Sequence, residues 1–202
     1  MIELPKGRAA DLSRRAFIRA GTGLAVAGLA AMPVLAGDKN HPSVAFMRKV
    51  GRDLLEAHRQ GTVAAFLSVI QHYADVPQIA LYSLGQYKAN LTSGQRARYF
   101  RGVAIFMSRY FADQSREYRI AKYEVGEATA DGKDVMVSSR IYLMSGQTYN
   151  VTWRLVWRNK TYKVADAKIL GFSMVYMQRG IFTSYLSKRK GDLMQLMNAL
   201  EG

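Results

Sequence analysis

The sequence predicts an α+β domain in which helices precede and follow a curved antiparallel sheet of about four strands, a shape that can enclose an apolar pocket. Three observations predict it. Apolar residues recur at three- and four-residue spacing from residue 44 to about residue 114, the period falls to two after Arg119, and helical spacing returns after Gly171. Helices gathered at the two ends of the chain with strands between them are the pattern of a segregated α+β fold.

Pro42 opens the first helix, and Val44, Met47, Val50 and Leu54 form its apolar stripe before Gly61 stops it. Residues 62–73 continue as helix with Phe66, Val69, Ile70 and Tyr73 on one side. Asp75 is placed to cap a third helix, which Gly85 ends. Thr92-Ser93-Gly94-Gln95 fits a capping box, in which the hydroxyl and the Gln side chain each satisfy an orphan amide. The helix that follows reaches about residue 114, with Tyr99, Val103, Phe106, Met107 and Tyr110 as its buried stripe.

Strands are predicted over 120–128, 134–144, 149–157 and 162–170, with Asp131-Gly132, Ser145-Gly146 and Asn159-Lys160 as the turns between them. Such short connections make antiparallel hairpins. Val135, Val137, Ile141 and Leu143 share one face. Tyr149, Val151, Trp153, Leu155 and Trp157 share another, and the opposite faces are polar, as expected where one side meets helices and the other meets water. A helix over 173–186 and a short one over 192–200 complete the chain.

The first 36 residues read differently. Lys6, Arg8, Arg14, Arg15 and Arg19 precede an uncharged stretch, 20–37, that is rich in Ala, Gly, Leu and Val and too diluted by glycine to make a spanning helix. Val34-Leu35-Ala36 offers a small-residue cleavage site. Ser13-Arg14-Arg15-Ala16-Phe17-Ile18 resembles a twin-arginine export motif. The expectation is a signal peptide over 1–36 and one domain over 37–202, exported to the periplasm. A Sec signal that happens to contain two arginines and a retained anchor are the alternatives.

The formal charge is +14. Cleavage after Ala36 removes five basic and two acidic residues and leaves 24 Lys and Arg against 13 Asp and Glu, a charge of +11. Outside the cytoplasm such a charge points to anionic headgroups or acidic protein faces, with transient membrane-surface contact and no nucleic acid as partner. The chain has no cysteine, so no disulfide can brace it.

Catalytic signatures are scarce. His41, His58 and His72 lack metal-ligand spacing, and neither a Gly-x-Ser-x-Gly elbow nor a phosphate loop is present. No cofactor and no metal are expected. A small isomerase or hydratase of cone-shaped α+β fold would need a buried carboxylate beside a tyrosine, for which Asp166 with Tyr149 or Tyr162 can be proposed.

The run Asp166-Ala167-Lys168-Ile169-Leu170-Gly171-Phe172-Ser173-Met174-Val175, followed by Arg179 and Phe182, resembles the C-terminal signature of the MlaC family of periplasmic phospholipid carriers. Asp75 with Ile79-Ala80 and Leu84-Gly85, then Thr92-Ser93, Gln95-Arg96 and Tyr99-Phe100, are similar to that family's helical segment, and Gly191-Asp192-Leu193 to its C-terminal end. The similarity spans about residues 70–200. It departs at Leu170, where an acidic residue is common, and at Met177-Gln178, where an Asn-Tyr pair is.

This resemblance implies a protein without catalysis of its own, carrying phospholipid between an outer-membrane lipoprotein/porin complex and an inner-membrane ABC transporter complex. Some relatives serve hopanoid-linked systems, so a polycyclic lipid is the alternative cargo. It also implies that Val103, Phe106, Met107, Tyr110, Val137, Ile141, Tyr149, Val151, Trp153, Met174, Met177 and Phe182 line a pocket, with Arg179 at the family's arginine position. Read without the resemblance, the apolar set is ordinary core. Arg179 reads equally as a structural partner of Asp166, and Lys188-Arg189-Lys190 as a solvated face or a docking patch.

Overall fold

The structure is a computed structural model that describes residues 37–202; the predicted signal segment, 1–36, lies outside them. Six helices flank one open five-stranded sheet. The first helix, α1 (Pro42–Gln60), starts where proline's fixed φ suits a first turn and His41 Nδ1 accepts from Ser43 N. Gly61 ends it at φ 62°, its N–H reaching Ala57 O at 2.9 Å. Helices α2 (Val63–Tyr73) and α3 (Val76–Ser83) are capped by Thr62 and Asp75, and a 3-10 turn (Gly85–Asn90) leads to α4 (Ser93–Glu117). The capping box is present, with Thr92 N donating to Gln95 Oε1 at 3.1 Å.

Strands β1 (Ile120–Asp131), β2 (Asp134–Leu143), β3 (Thr148–Arg158), β4 (Thr161–Ile169) and β5 (Phe172–Ser173) pair antiparallel in sequence order. The sheet is an open meander. Register slips between Val125 and Ala128 and between Arg154 and Leu155, and an extra residue at such a slip bends and twists the strand. Helices α5 (Met174–Ser187) and α6 (Leu193–Glu201) close the chain, each started by an N-cap side chain, Ser173 and Asp192.

The fold class and the sheet are as expected, with one strand more. β5 has two residues, too few to show a period. Trp157 departs from its predicted inner face: it is exposed, and its ring packs edge-on against Tyr162 at 4.8 Å. Arg189 lies over the Tyr185 ring, 3.7 Å from its centroid.

The largest correction concerns layers. The predicted pocket set joins Val137, Ile141, Val151 and Trp153 of the sheet to the helix bearing Val103, Met107 and Tyr110. Instead α1 lies on the sheet, and α4 packs with α2, α3 and α6 behind it. Two amphipathic helices compete for one sheet face, and periodicity alone does not rank them.

Candidate binding site

Val44, Met47 and Val50 of α1, with Tyr73 of α2, are packed against Ala128, Val137, Val151, Trp153 and Leu155 of the sheet. Ile141, Val125 and Ile169 fringe this layer. Three of the predicted residues, Val137, Val151 and Trp153, are therefore in it, and Ile141 is at its edge. Tyr149, the strand partner of Ile141, is half-buried with its hydroxyl 3.3 Å from Gln147 Oε1.

One polar island interrupts the layer. Trp153 Nε1 donates to Ser139 Oγ at 2.8 Å, and the Tyr123 hydroxyl, close to both, is buried without a hydrogen-bond partner. Burial pushes the Tyr123 phenol up to about 12. An unmet buried hydroxyl costs ~1–3 kcal/mol. Gly51 makes room for the ring, since a Cβ there would sit 2.0 Å from Tyr123 Cε1.

A second cluster lies among the helices, where Val103, Phe106 and Phe182 pack with Ala80, Leu84, Tyr99, Leu186, Leu196 and Leu200. Phe106 and Phe182 meet edge to face at 5.1 Å. Smaller clusters join the two. Leu54 and Val69 belong to the sheet layer and to the Ala57, Phe66, Ala112 group; Phe111 links that group to Ile70, Val76 and Ala104; Met107 and Phe100 link these to the helical cluster. The predicted set thus falls at two ends of one continuous apolar interior, with Met107 between them. Tyr110 is half-buried against Phe111 at 5.8 Å, its phenol raised mainly by burial and then by Glu117.

The α5 residues stand apart. Met174 is half-buried and Met177 is exposed. The Arg179 guanidinium lies over the Tyr82 ring at 5.1 Å. It does not pair with Asp166, whose carboxylate accepts from Val175 N at 3.1 Å and Ala167 N at 2.8 Å and so holds the start of α5. An open cleft of about 560 Å³ is lined by Gln78, Tyr82, Lys88, Arg158 and Arg179, with Arg158 tied to Asp75 at 3.2 Å. A second cleft, about 270 Å³, shares Tyr82 and adds Arg154, Asp166, Lys168 and Tyr176.

The carboxylate and tyrosines of the isomerase alternative are not assembled. Asp166 serves α5, Tyr149 bonds Gln147, and Tyr162 packs beside Phe46 at 5.9 Å. His41 caps α1 and His58 Nε2 bonds Tyr118 O at 2.8 Å. Among the described residues no group of His, Asp and Glu could hold a metal ion, and no helix is long and apolar enough to cross a membrane.

Val44, Met47, Tyr73, Tyr123 and Ser139 also belong to the layer on the sheet and were not among the pocket residues predicted from the sequence. Two signals were available: Ser139 occupies an inward position of an alternating strand, and Gly51 interrupts a helix where alanine would be favoured.

The MlaC protein family model matches residues 46–202. The chain belongs to the MlaC family. Among solved structures, this MlaC chain is similar to a phospholipid-binding protein from Ralstonia solanacearum, determined in complex with a phospholipid, at 21% identity and a TM-score of 0.63. The match covers 78% of this chain and 93% of that one, which shows a shared fold. No curated protein sequence matches the MlaC chain.

Proposed function

We propose that this MlaC-family protein carries a phospholipid, with its acyl chains in the apolar interior between the sheet and the helices. The observation that carries the reading is that continuous interior: an open sheet whose apolar face meets α1 and runs through linked clusters to α5 and α6. Each methylene kept from water is worth ~0.8 kcal/mol, so a carrier must offer acyl chains a comparable apolar wall. Helix α1 meets the sheet through side chains, whereas the α2–α3 junction is fixed to β4 by Asp75 N–H donating to Val164 O at 2.8 Å, and methionines such as Met47 and Met107 let the α1 seam and the interior behind it repack. In this reading α1 moves off the sheet as the chains enter. The Tyr123 hydroxyl is then the polar atom in the wall with a bond left to donate, and an ester carbonyl of a diacyl lipid can accept it.

Family membership and the lipid named with the similar structure support phospholipid over a substrate to be transformed. Protein purified without strong detergent and extracted with organic solvent is expected to release glycerophospholipid. A polycyclic lipid in the extract would favour the hopanoid alternative, and an extract without lipid would favour the isomerase or hydratase.

The working compartment in this proposal is the periplasm, reached through the twin-arginine segment. The partners are the outer-membrane lipoprotein/porin complex and the inner-membrane ABC transporter complex. Replacing Arg14 and Arg15 by Lys is expected to leave full-length precursor in the cytoplasm, seen by fractionation and immunoblotting. Unchanged export of the double variant would exclude the twin-arginine route.

A further inference from the structure

The strand order sets the β2–β3 and β4–β5 turns at one end of the sheet, opposite the Asp131 and Asn159 turns. Both tips at that end carry large apolar side chains in water: Met144 is 65% exposed, Leu170 64% and Phe172 61%, and Tyr176 just beyond is 66%. Neighbouring strands are ~4.8 Å apart and the register sets the Met144 tip about four residues farther along the strands than the Leu170 tip, so the two stand roughly 16 Å from each other. Met144 also bonds into this rim, its N–H donating to Arg119 O at 2.8 Å.

The Leu170 tip is held out by its backbone. Ile169 pairs with Phe172, so Leu170 and Gly171 are the two central residues of the hairpin, and both have positive φ, 52° and 84°. A type I′ turn needs that geometry, and Asn-Gly meets it with least strain. A leucine there is strained by ~1–2 kcal/mol and gains no burial in return. The cost falls on stability while the side chain points to solvent, so nothing inside the fold offsets it.

The surrounding charge selects the contact. Arg119 and Lys168 flank the tips and enter no ion pair among the described residues, while Arg140, farther back on β2, bonds Asn150 Oδ1 at 3.3 Å and pairs in register with Glu124. Of the acidic groups at this end, Glu117 is exposed and Glu124 is paired with Lys122. Apolar side chains able to enter an acyl boundary, flanked by the cations of Arg119 and Lys168, complement an anionic lipid surface. The inner-facing Ile141 and Ile169 carry the apolar interior out to the same rim.

We propose that this rim, Met144 with Leu170 and Phe172, is where the protein touches an anionic membrane surface to take up or release cargo. The contact deepens the carrier reading and rests on it for its purpose. The test compares cosedimentation of the exported protein with phosphatidylethanolamine vesicles containing phosphatidylglycerol and with vesicles of phosphatidylcholine alone.

Wild type is expected to favour the anionic vesicles and to lose binding as salt rises. Leu170→Asn should bind roughly tenfold more weakly, because one apolar side chain no longer enters the boundary, yet melt no lower than wild type, because the turn is relieved. Phe172→Ser gives an independent second loss. Both variants should keep their lipid as purified.

Equal vesicle binding by wild type and both variants would overturn the proposal. So would a wild-type dimer in lipid-free solution that Leu170→Asn converts to monomer, which would make a second copy the occupant. Protein that binds vesicles through the rim but purifies without lipid would leave the rim standing and sink the carrier reading instead.

Discussion

Val151→Trp is expected to remove most of the bound phospholipid while changing the stability of the lipid-free protein by less than about 1 kcal/mol. Val151 is central on β3, buried between the Trp153 side of the sheet and α1, and paired with Ser139 and Ile169. In a core that must stay closed, an indole in place of an isopropyl group has no room and costs ~1–3 kcal/mol or more. A seam that parts to admit acyl chains can part to admit an indole. The ring then occupies the space that cargo would take. Lipid phosphate per protein and thermal melting of the delipidated variant read the two effects separately. Strong destabilisation with full lipid content would place the cargo elsewhere in the interior, at the helical end near Phe106 and Phe182.

Gly51→Ala is expected to destabilise the protein by about 1–3 kcal/mol, against the ordinary preference for alanine within helices. The new methyl would fall 2.0 Å from Tyr123 Cε1 and 2.5 Å from Cδ1, so the ring must leave the α1 backbone. That displaces the hydroxyl from its place beside Ser139 and Trp153. Gly180, in the middle of α5, provides the contrast: nothing lies within 4 Å of a Cβ there, and Gly180→Ala should stabilise by up to ~1 kcal/mol. Urea midpoints of the two variants check the pair. A raised midpoint for Gly51→Ala would mean that Tyr123 does not lie on α1 as described. Adding Tyr123→Leu should recover part of the loss, because the smaller side chain no longer meets the methyl.

The elements were legible because their signals are local. Pro42 and Gly61 bound α1, the Thr92–Gln95 capping box starts α4, and alternation with Asp131-Gly132 and Asn159-Lys160 sets the hairpins. Layering was not legible. Which helix covers the sheet depends on how α1 and α4 fill space together, and both carry apolar stripes of the required spacing. The same limit split the candidate site: Val137, Val151 and Trp153 were correctly placed together inward, whereas Val103, Phe106 and Phe182 proved to be a second cluster. Asp166 shows a subtler case. Its carboxylate accepts from the Val175 amide of α5, nine residues away, a contact that β5 and its tight turn create and that no spacing rule announces.

Native mass spectrometry of the protein purified without strong detergent reads the bound cargo directly. The expected result is a species heavier than the bare polypeptide by the mass of one phospholipid, which collisional activation releases as an intact lipid ion. The bound fraction is expected to fall in Val151→Trp and to persist in Leu170→Asn. A spectrum showing only the bare polypeptide, from protein that melts cooperatively, would contradict the account.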